Sequence, residues 1–228
     1  MFQELRWKQL DIMNALSRKT EFEKQIANVF NKRFLQLGAQ PEASLWFCKT
    51  RQRKRFETIA RLIFKRAKSQ TLSISDIGCG YGAFYNFLMT YKSGVDLKYT
   101  GYDIASSPIE YCLDNYLSPS ANFICGSSLK KPTDFTTMSG TFNLAPHTKI
   151  SEWRKYYFNE LSRIFQGTKS FMIFNITISS QARISPRGIF YENPNAIEEF
   201  CNSQLGNTTS LTTPGLPHEK TFCVAKCN

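Results

Sequence analysis

The chain has 228 residues, 42% of them hydrophobic and 14% aromatic, enough apolar material for one ordinary core or for one domain plus a cap. That composition excludes a disordered, collagen-like or disulfide-stapled protein. Lys+Arg 29 against Asp+Glu 18 gives a net charge of +11, which suits nucleic acid, phosphorylated metabolites or a membrane surface, and equally a solvated basic face.

Residues 1–37 read as a helix, because Leu10, Ile12, Met13, Leu16, Phe22, Ile26, Phe30 and Phe34 recur at helical spacing. Gly38 and Pro41 break the pattern. A second helix is expected from Glu42 to Lys68, with Leu45, Phe56, Ile59, Leu62 and Ile63 on its apolar side. The same segment carries Lys49, Arg51, Arg53, Lys54, Arg55, Arg61, Lys65 and Arg66, so most of the excess charge sits on one element. From Thr71 onward strands and helices alternate. TLSISDIG, LKYTGYDI, ANFICG, TTMSGTFNL and KSFMIFNITI read as strands, and TSLTT and KTFCVAKC as two closing strands. AFYNFLMTY, SPIEYCLDNYL, SEWRKYYFNELSRIF and NPNAIEEFCNSQL read as helices between them. Repeated βα units imply an α/β fold with a right-handed, doubly wound sheet. The expected division is a helical cap over 1–68 and a sheet domain over 69–228. The stretch from Ser179 to Asn193 is expected as a loop near the mouth of the site, part of its lid.

The first nineteen residues place charges among their apolar positions and so lack a signal-peptide core. No apolar run reaches the length of a membrane span. Seven scattered cysteines, including Cys227, and only two histidines argue against a metal site and for free thiols in a reducing compartment. The expectation is a cytoplasmic protein without membrane contact.

The most informative segment is Ser75-Asp76-Ile77-Gly78-Cys79-Gly80-Tyr81-Gly82. Alternate glycines let a backbone approach a ligand closely, and the segment joins a strand end to a helix start, where open α/β sheets bind cofactors. The spacing is GxGxG rather than the dinucleotide GxGxxG. Asp76, two residues before the first glycine, would repel a pyrophosphate but suits an ammonium group. The next strand ends Tyr102-Asp103-Ile104, and a carboxylate there accepts both hydroxyls of a ribose.

These residues resemble the class I S-adenosylmethionine-dependent methyltransferases, DIGCGYG matching their first motif and YDI their acidic second motif. The resemblance covers about residues 71–225 and implies a Rossmann-like, mainly parallel seven-stranded sheet. It places an adenosyl ribose on Asp103 beside Ile104, and a methionine moiety over Gly78 to Gly82 with Asp76 and Cys79. The third strand ends Gly126-Ser127-Ser128 where the family often has Gly-Asp, so Ser127 stands at the adenine position. A closer likeness reaches back to about residue 30, to a subgroup of small bacterial methyltransferases with a helical N-terminal extension. It rests on Trp46, Gln52, Arg55-Phe56 and Ser139-Gly140-Thr141-Phe142-Asn143.

Methyl transfer from a sulfonium needs an in-line nucleophile, and much of the catalysis can be proximity. The end of the fourth strand, Ser139 to Asn143, is expected to face the reacting methyl. His147 follows in a loop and is the candidate base, with Asn143 beside it. Arg55 is expected to reach the cofactor carboxylate from the cap, and Trp46 to border the cofactor. Tyr81, inside the loop, is a further pocket candidate. The expected function is methyl transfer to a small-molecule N or O acceptor. An RNA methyltransferase using the basic helix 49–66 and a non-enzymatic cofactor-binding module are the alternatives. Acceptor identity and oligomeric state stay open.

Overall fold

A computed structural model describes residues 2–46, 48–91 and 94–226, with side chains described from Lys19 onward. Helix α1 (Phe2–Leu37) fulfils the expected N-terminal helix. Leu10, Ile12, Met13 and Leu16 lie outside the described side chains, as does Cys227, while Phe22 and Ile26 of the same stripe are buried. A 3-10 turn (Pro41–Ser44) follows, and Leu45 adopts φ +61°. The second helix therefore starts later than expected, as α2 (Lys49–Arg66).

The sheet comprises β1 (Thr71–Ile77), β2 (Asp96–Asp103), β3 (Ala121–Cys125), β4 (Thr133–Ser139), β5 (Thr168–Thr177), β8 (Thr208–Thr212) and β9 (Glu219–Ala225). A separate two-residue pair, β6 (Arg183–Ile184) and β7 (Phe190–Tyr191), lies within the expected loop from Ser179. Helices α3 (Ala83–Thr90), α4 (Ser106–Asn115), α5 (Ile150–Gln166) and α6 (Pro194–Gln204) complete the chain. Strand order is β3-β2-β1-β4-β5-β9-β8, with β1 to β5 parallel and β9 antiparallel to both its neighbours. This is the expected doubly wound, mainly parallel seven-stranded sheet. The strand order reverses between β1 and β4, and such a switch point leaves a crevice at the C-terminal strand ends.

Each sheet face buries its own core. On one, α5 and α6 cover Met138, Met172, Phe174 and Phe222, joined by Phe22 and Ile26 of α1. On the other, Phe56, Ile59, Ala60, Leu62 and Ile63 of α2 pack with α3 and α4 on Leu72, Ile74, Phe135 and Ile173. A 3.6-residue period puts these five positions on one side of α2 and leaves Arg53, Glu57, Arg61 and Lys65 exposed on the other. Among the described residues no helix is long and apolar enough to cross a membrane.

Candidate functional site

The switch-point crevice is a pocket. Its floor is the glycine loop from Gly78 to Tyr81, with Asp103 and Ile104 at the end of β2, Gly126 and Ser127 after β3, and Ser139 to Phe142 after β4. Its roof is Ile26, Phe30 and Phe34, one stripe of α1 at intervals of four, together with Ala43, Ser44 and Trp46. Trp153, Tyr156 and Glu160 of α5 close one side. The roof stripe looked like ordinary core in the sequence; its spacing gives no sign that it lies over a cavity.

Backbone bonds lock the loop to β2. Gly78 and Cys79 donate their N–H groups to the Tyr102 carbonyl at 2.7 and 3.0 Å. Gly80 donates to Asp103 Oδ2 at 2.8 Å, and Ala105 donates to Oδ1 at 2.9 Å. Asp103 is thereby held with one bond on each oxygen, and each oxygen retains a second lone-pair site. Burial pushes its pKa up, against the backbone N–H groups of Ala105 and Gly80, which favour the anion. Tyr81 takes a hydrogen bond from Gln52 of α2 at 3.2 Å, tying the loop to the preceding helix.

No protein-family model matches the chain. A Mycobacterium tuberculosis protein carrying a provisional methyltransferase name is 26% identical over 158 residues, 68% of this chain and 94% of that one. Solved structures share the fold. A Leishmania major S-adenosylmethionine-dependent methyltransferase gives a TM-score of 0.65 at 10% identity, covering 88% of this chain and 82% of its own. The Burkholderia thailandensis 1,6-didemethyltoxoflavin-N1-methyltransferase, solved with S-adenosylhomocysteine, gives 0.61 at 13% identity and 90% of each chain. The Synechocystis magnesium protoporphyrin IX methyltransferase, solved with S-adenosylmethionine, gives 0.55 at 11% identity, covering 76% and 80%. The chain has the fold of the class I S-adenosylmethionine-dependent methyltransferases.

Within this fold several expected site residues take other positions. Arg55 does not border the pocket. It is 2% exposed, forks onto both carboxylate oxygens of Glu219, and lies over Trp46 with its guanidinium carbon 3.7 Å from the ring centroid. The Glu219 carboxylate, brought beside α2 by β9, takes the charge that a cofactor carboxylate was expected to take. Trp46 does border the pocket, but from the turn before α2 rather than from a helix. His147 is exposed and absent from the pocket wall, because Leu144 and Ala145 pair back onto Ile189 and Gly188 and carry the chain away. Asn143 is likewise absent from the described pocket wall: its Oδ1 accepts from the Thr177 N–H at 3.0 Å, joining the ends of β4 and β5. The stretch from Ser179 to Asn193 contributes nothing to the described pocket wall.

Asp76 borders the pocket, yet its oxygens serve the sheet. Tyr99 donates to Oδ2 at 2.7 Å and Thr137 to Oδ1 at 2.9 Å, linking β1 to both neighbouring strands. Burial raises its pKa to about 6 despite those two bonds. Gly82 supports the loop from outside the pocket. It has φ +76°, and a Cβ there would meet Tyr116 at 2.5 Å. Cys79 borders the pocket, with a thiol pushed well up by burial, which makes it a poor nucleophile. Ser127 borders the pocket, and its carbonyl accepts from Arg163 at 2.8 Å. Ser139 borders it with a buried hydroxyl that has no partner, and Trp153 with a buried, partnerless indole N–H.

Proposed function

We propose that the protein transfers the methyl group of S-adenosylmethionine to a small-molecule acceptor, mainly by proximity and in-line orientation. The carrying observation is the roof: the pocket at the glycine loop is covered by apolar side chains of α1 and by Trp46. A covered, largely apolar pocket with a few placed polar groups suits a small ligand rather than a polymer.

The residues present suit this cofactor. Asp103 has a free lone-pair site on each oxygen for two ribose hydroxyls. Ile104 and Phe142 offer apolar walls for adenine, with Ser127 at its edge, and the partnerless Trp153 N–H can donate to a ligand. Gly78, Cys79 and Gly80 bring the backbone close to a methionine moiety. When bound, S-adenosylmethionine supplies a methyl carbon made electrophilic by its sulfonium. The chain orients and encloses: Asp103 fixes one end, and Trp46, clamped by Arg55, excludes water at the other.

The carboxylates lining the pocket are all engaged. Asp76 holds two hydroxyls, Asp103 two backbone N–H groups, and Glu160 accepts from Lys19 at 2.7 Å and from Arg163 at 3.1 Å. No free general base stands among the described lining residues, which favours an acceptor that reacts without losing a proton first, such as a neutral amine. Among the described residues no basic side chain of α2 lines the pocket, and Arg53, Arg61 and Lys65 are exposed on the side of the helix away from the core, which supports a small acceptor over RNA. We further infer that the lid is α1 with the turn to Trp46, and that α2, sharing a core with the sheet, belongs to the sheet domain rather than to a cap ending at residue 68. The free cysteines 48, 79, 112, 125, 201 and 223 suit a reducing compartment, which we infer is the cytoplasm.

The test uses methyl-labelled S-adenosylmethionine with a fractionated small-metabolite extract and, in parallel, total RNA. Label entering a small-molecule fraction supports the proposal; label entering only RNA contradicts it.

A further inference from the structure

The chain carries a net charge of +11, yet its pocket wall is acidic. Among the described residues that wall holds three carboxylates, Asp76, Asp103 and Glu160, and no lysine, arginine or histidine. Glu160 is balanced. Lys19 and Arg163 both donate to it, and Glu23 lies 3.6 Å from Lys19, so two cations meet two carboxylates. Arg55, on the far side of Trp46, is matched by Glu219. The hydrogen-bond partners described for Asp76 and Asp103 are all neutral: the Tyr99 and Thr137 hydroxyls for the first, the Gly80 and Ala105 N–H groups for the second.

These two carboxylates are neighbours. Asp76 is in register with Gly101, and Asp103 lies two residues further along β2, which sets their Cα atoms roughly 8 Å apart. Burial raises the pKa of both, and like-charge repulsion from Asp103 adds to the rise at Asp76, as expected of anions with no cation beside them. Asp76, at about 6, is still ionised at pH 7.5. A ligand with its ribose on Asp103 and its amino-acid end over the glycine loop, two residues beyond Asp76, carries its sulfur between the two, because the sulfur joins those parts. In S-adenosylmethionine that sulfur is a cation. Methyl transfer breaks the carbon–sulfur bond with the electron pair staying on sulfur, while a lone pair of the acceptor forms the new bond and the positive charge passes to the acceptor. The thioether left behind is neutral at sulfur. The ammonium and carboxylate groups are common to both forms and do not distinguish them. In a covered pocket, little screened by solvent, the lost charge weighs far more than in water.

We propose that Asp76 and Asp103 act as a charge selector: the site holds the sulfonium form of the cofactor more tightly than the demethylated thioether, so that transfer itself loosens the product. The proposal rests on the methyltransferase reading of this pocket and specifies which state of the cofactor it prefers.

Three ligands are titrated by calorimetry into the full chain at pH 7.5 without acceptor: S-adenosylmethionine, S-adenosylhomocysteine and sinefungin, which lacks the sulfonium methyl but bears an ammonium group on the carbon that replaces sulfur. S-adenosylmethionine and sinefungin are expected to bind about tenfold tighter than S-adenosylhomocysteine, a difference of about 1.4 kcal/mol. Asp76→Asn keeps the side chain's size and removes its charge. With the two carboxylates sharing the effect equally, it is expected to bring the ratio down to about threefold, whatever it does to the affinity common to all three ligands. S-adenosylhomocysteine bound as tightly as S-adenosylmethionine, or tighter, overturns the proposal. So does sinefungin bound no tighter than S-adenosylhomocysteine, which would assign the preference to contacts with the methyl group. A ratio unchanged in a folded Asp76→Asn overturns the assignment to these carboxylates. If none of the three ligands binds, the methyltransferase reading itself fails, so the two failures are distinct. The ranking of the ligands needs no variant and stands if Asp76→Asn fails to fold.

Discussion

Arg55 and Glu219, 164 residues apart in sequence, form a buried two-bond ion pair whose side chains are 3% and 5% exposed. Removing one member leaves a buried charge without its partner, whereas removing both does not. Arg55→Ala is expected to destabilise the fold by about 3–5 kcal/mol, and the Arg55→Met, Glu219→Leu double variant to recover most of that. Urea unfolding of the two variants checks it. A double variant no more stable than Arg55→Ala would show that the pair is not a closed unit.

Gly140 and Trp46 make a second coupled contact. Gly140 has φ +77°, and a Cβ there would run into the Trp46 ring. Gly140→Ala is expected to cost about 3 kcal/mol, part backbone strain and part overpacking. In the Gly140→Ala, Trp46→Ala double variant the overpacking disappears and only the strain remains, a coupling of about 1–2 kcal/mol in a double-mutant cycle. Strict additivity of the two losses would place Trp46 away from Gly140.

These two contacts also mark where sequence reading stopped. The sheet, the glycine loop and Asp103 were legible because strand periodicity and the spacing from Asp76 to Asp103 are local signals. The partner of Arg55 arrives on β9, the last strand of the chain, and nothing beside Arg55 in the sequence announces Glu219. His147 had a loop-like context, but the pairing of Leu144 with Ile189 that turns it outward is again long-range. No local breaker separates Trp46 from Lys49, so the sequence pattern extends the helix over it, whereas Leu45 takes a left-handed conformation that ends the preceding turn. The roof was hidden for a different reason: a stripe at helical spacing looks the same over a cavity as over a core.

Asp76 gives the stability a pH dependence of defined sign. Its pKa rises from the ordinary 3.8 to about 6 in the fold, chiefly through burial. The folded chain then binds the proton more tightly than the unfolded chain, so this group's contribution is fully present below pH 3.8 and is lost as pH rises through about 6. The loss amounts to about 3 kcal/mol. Asp103, also raised by burial, acts in the same direction. Urea unfolding of the native chain and of Asp76→Asn from pH 4 to pH 7 isolates the first group. The native chain is expected to lose stability relative to the variant across that range, and a constant difference would refute the assignment.

The most direct measurement is a calorimetric titration of the full chain with S-adenosylhomocysteine and, separately, with NAD, repeated on Asp103→Asn. The expected result is one S-adenosylhomocysteine per chain, no NAD binding, and an affinity loss of about tenfold or more in the variant, because the amide replaces a carboxylate that accepts two ribose hydroxyls. Binding of NAD in place of S-adenosylhomocysteine, or S-adenosylhomocysteine affinity unchanged by Asp103→Asn, would contradict a nucleoside-bearing methyl donor seated between the glycine loop and the end of β2.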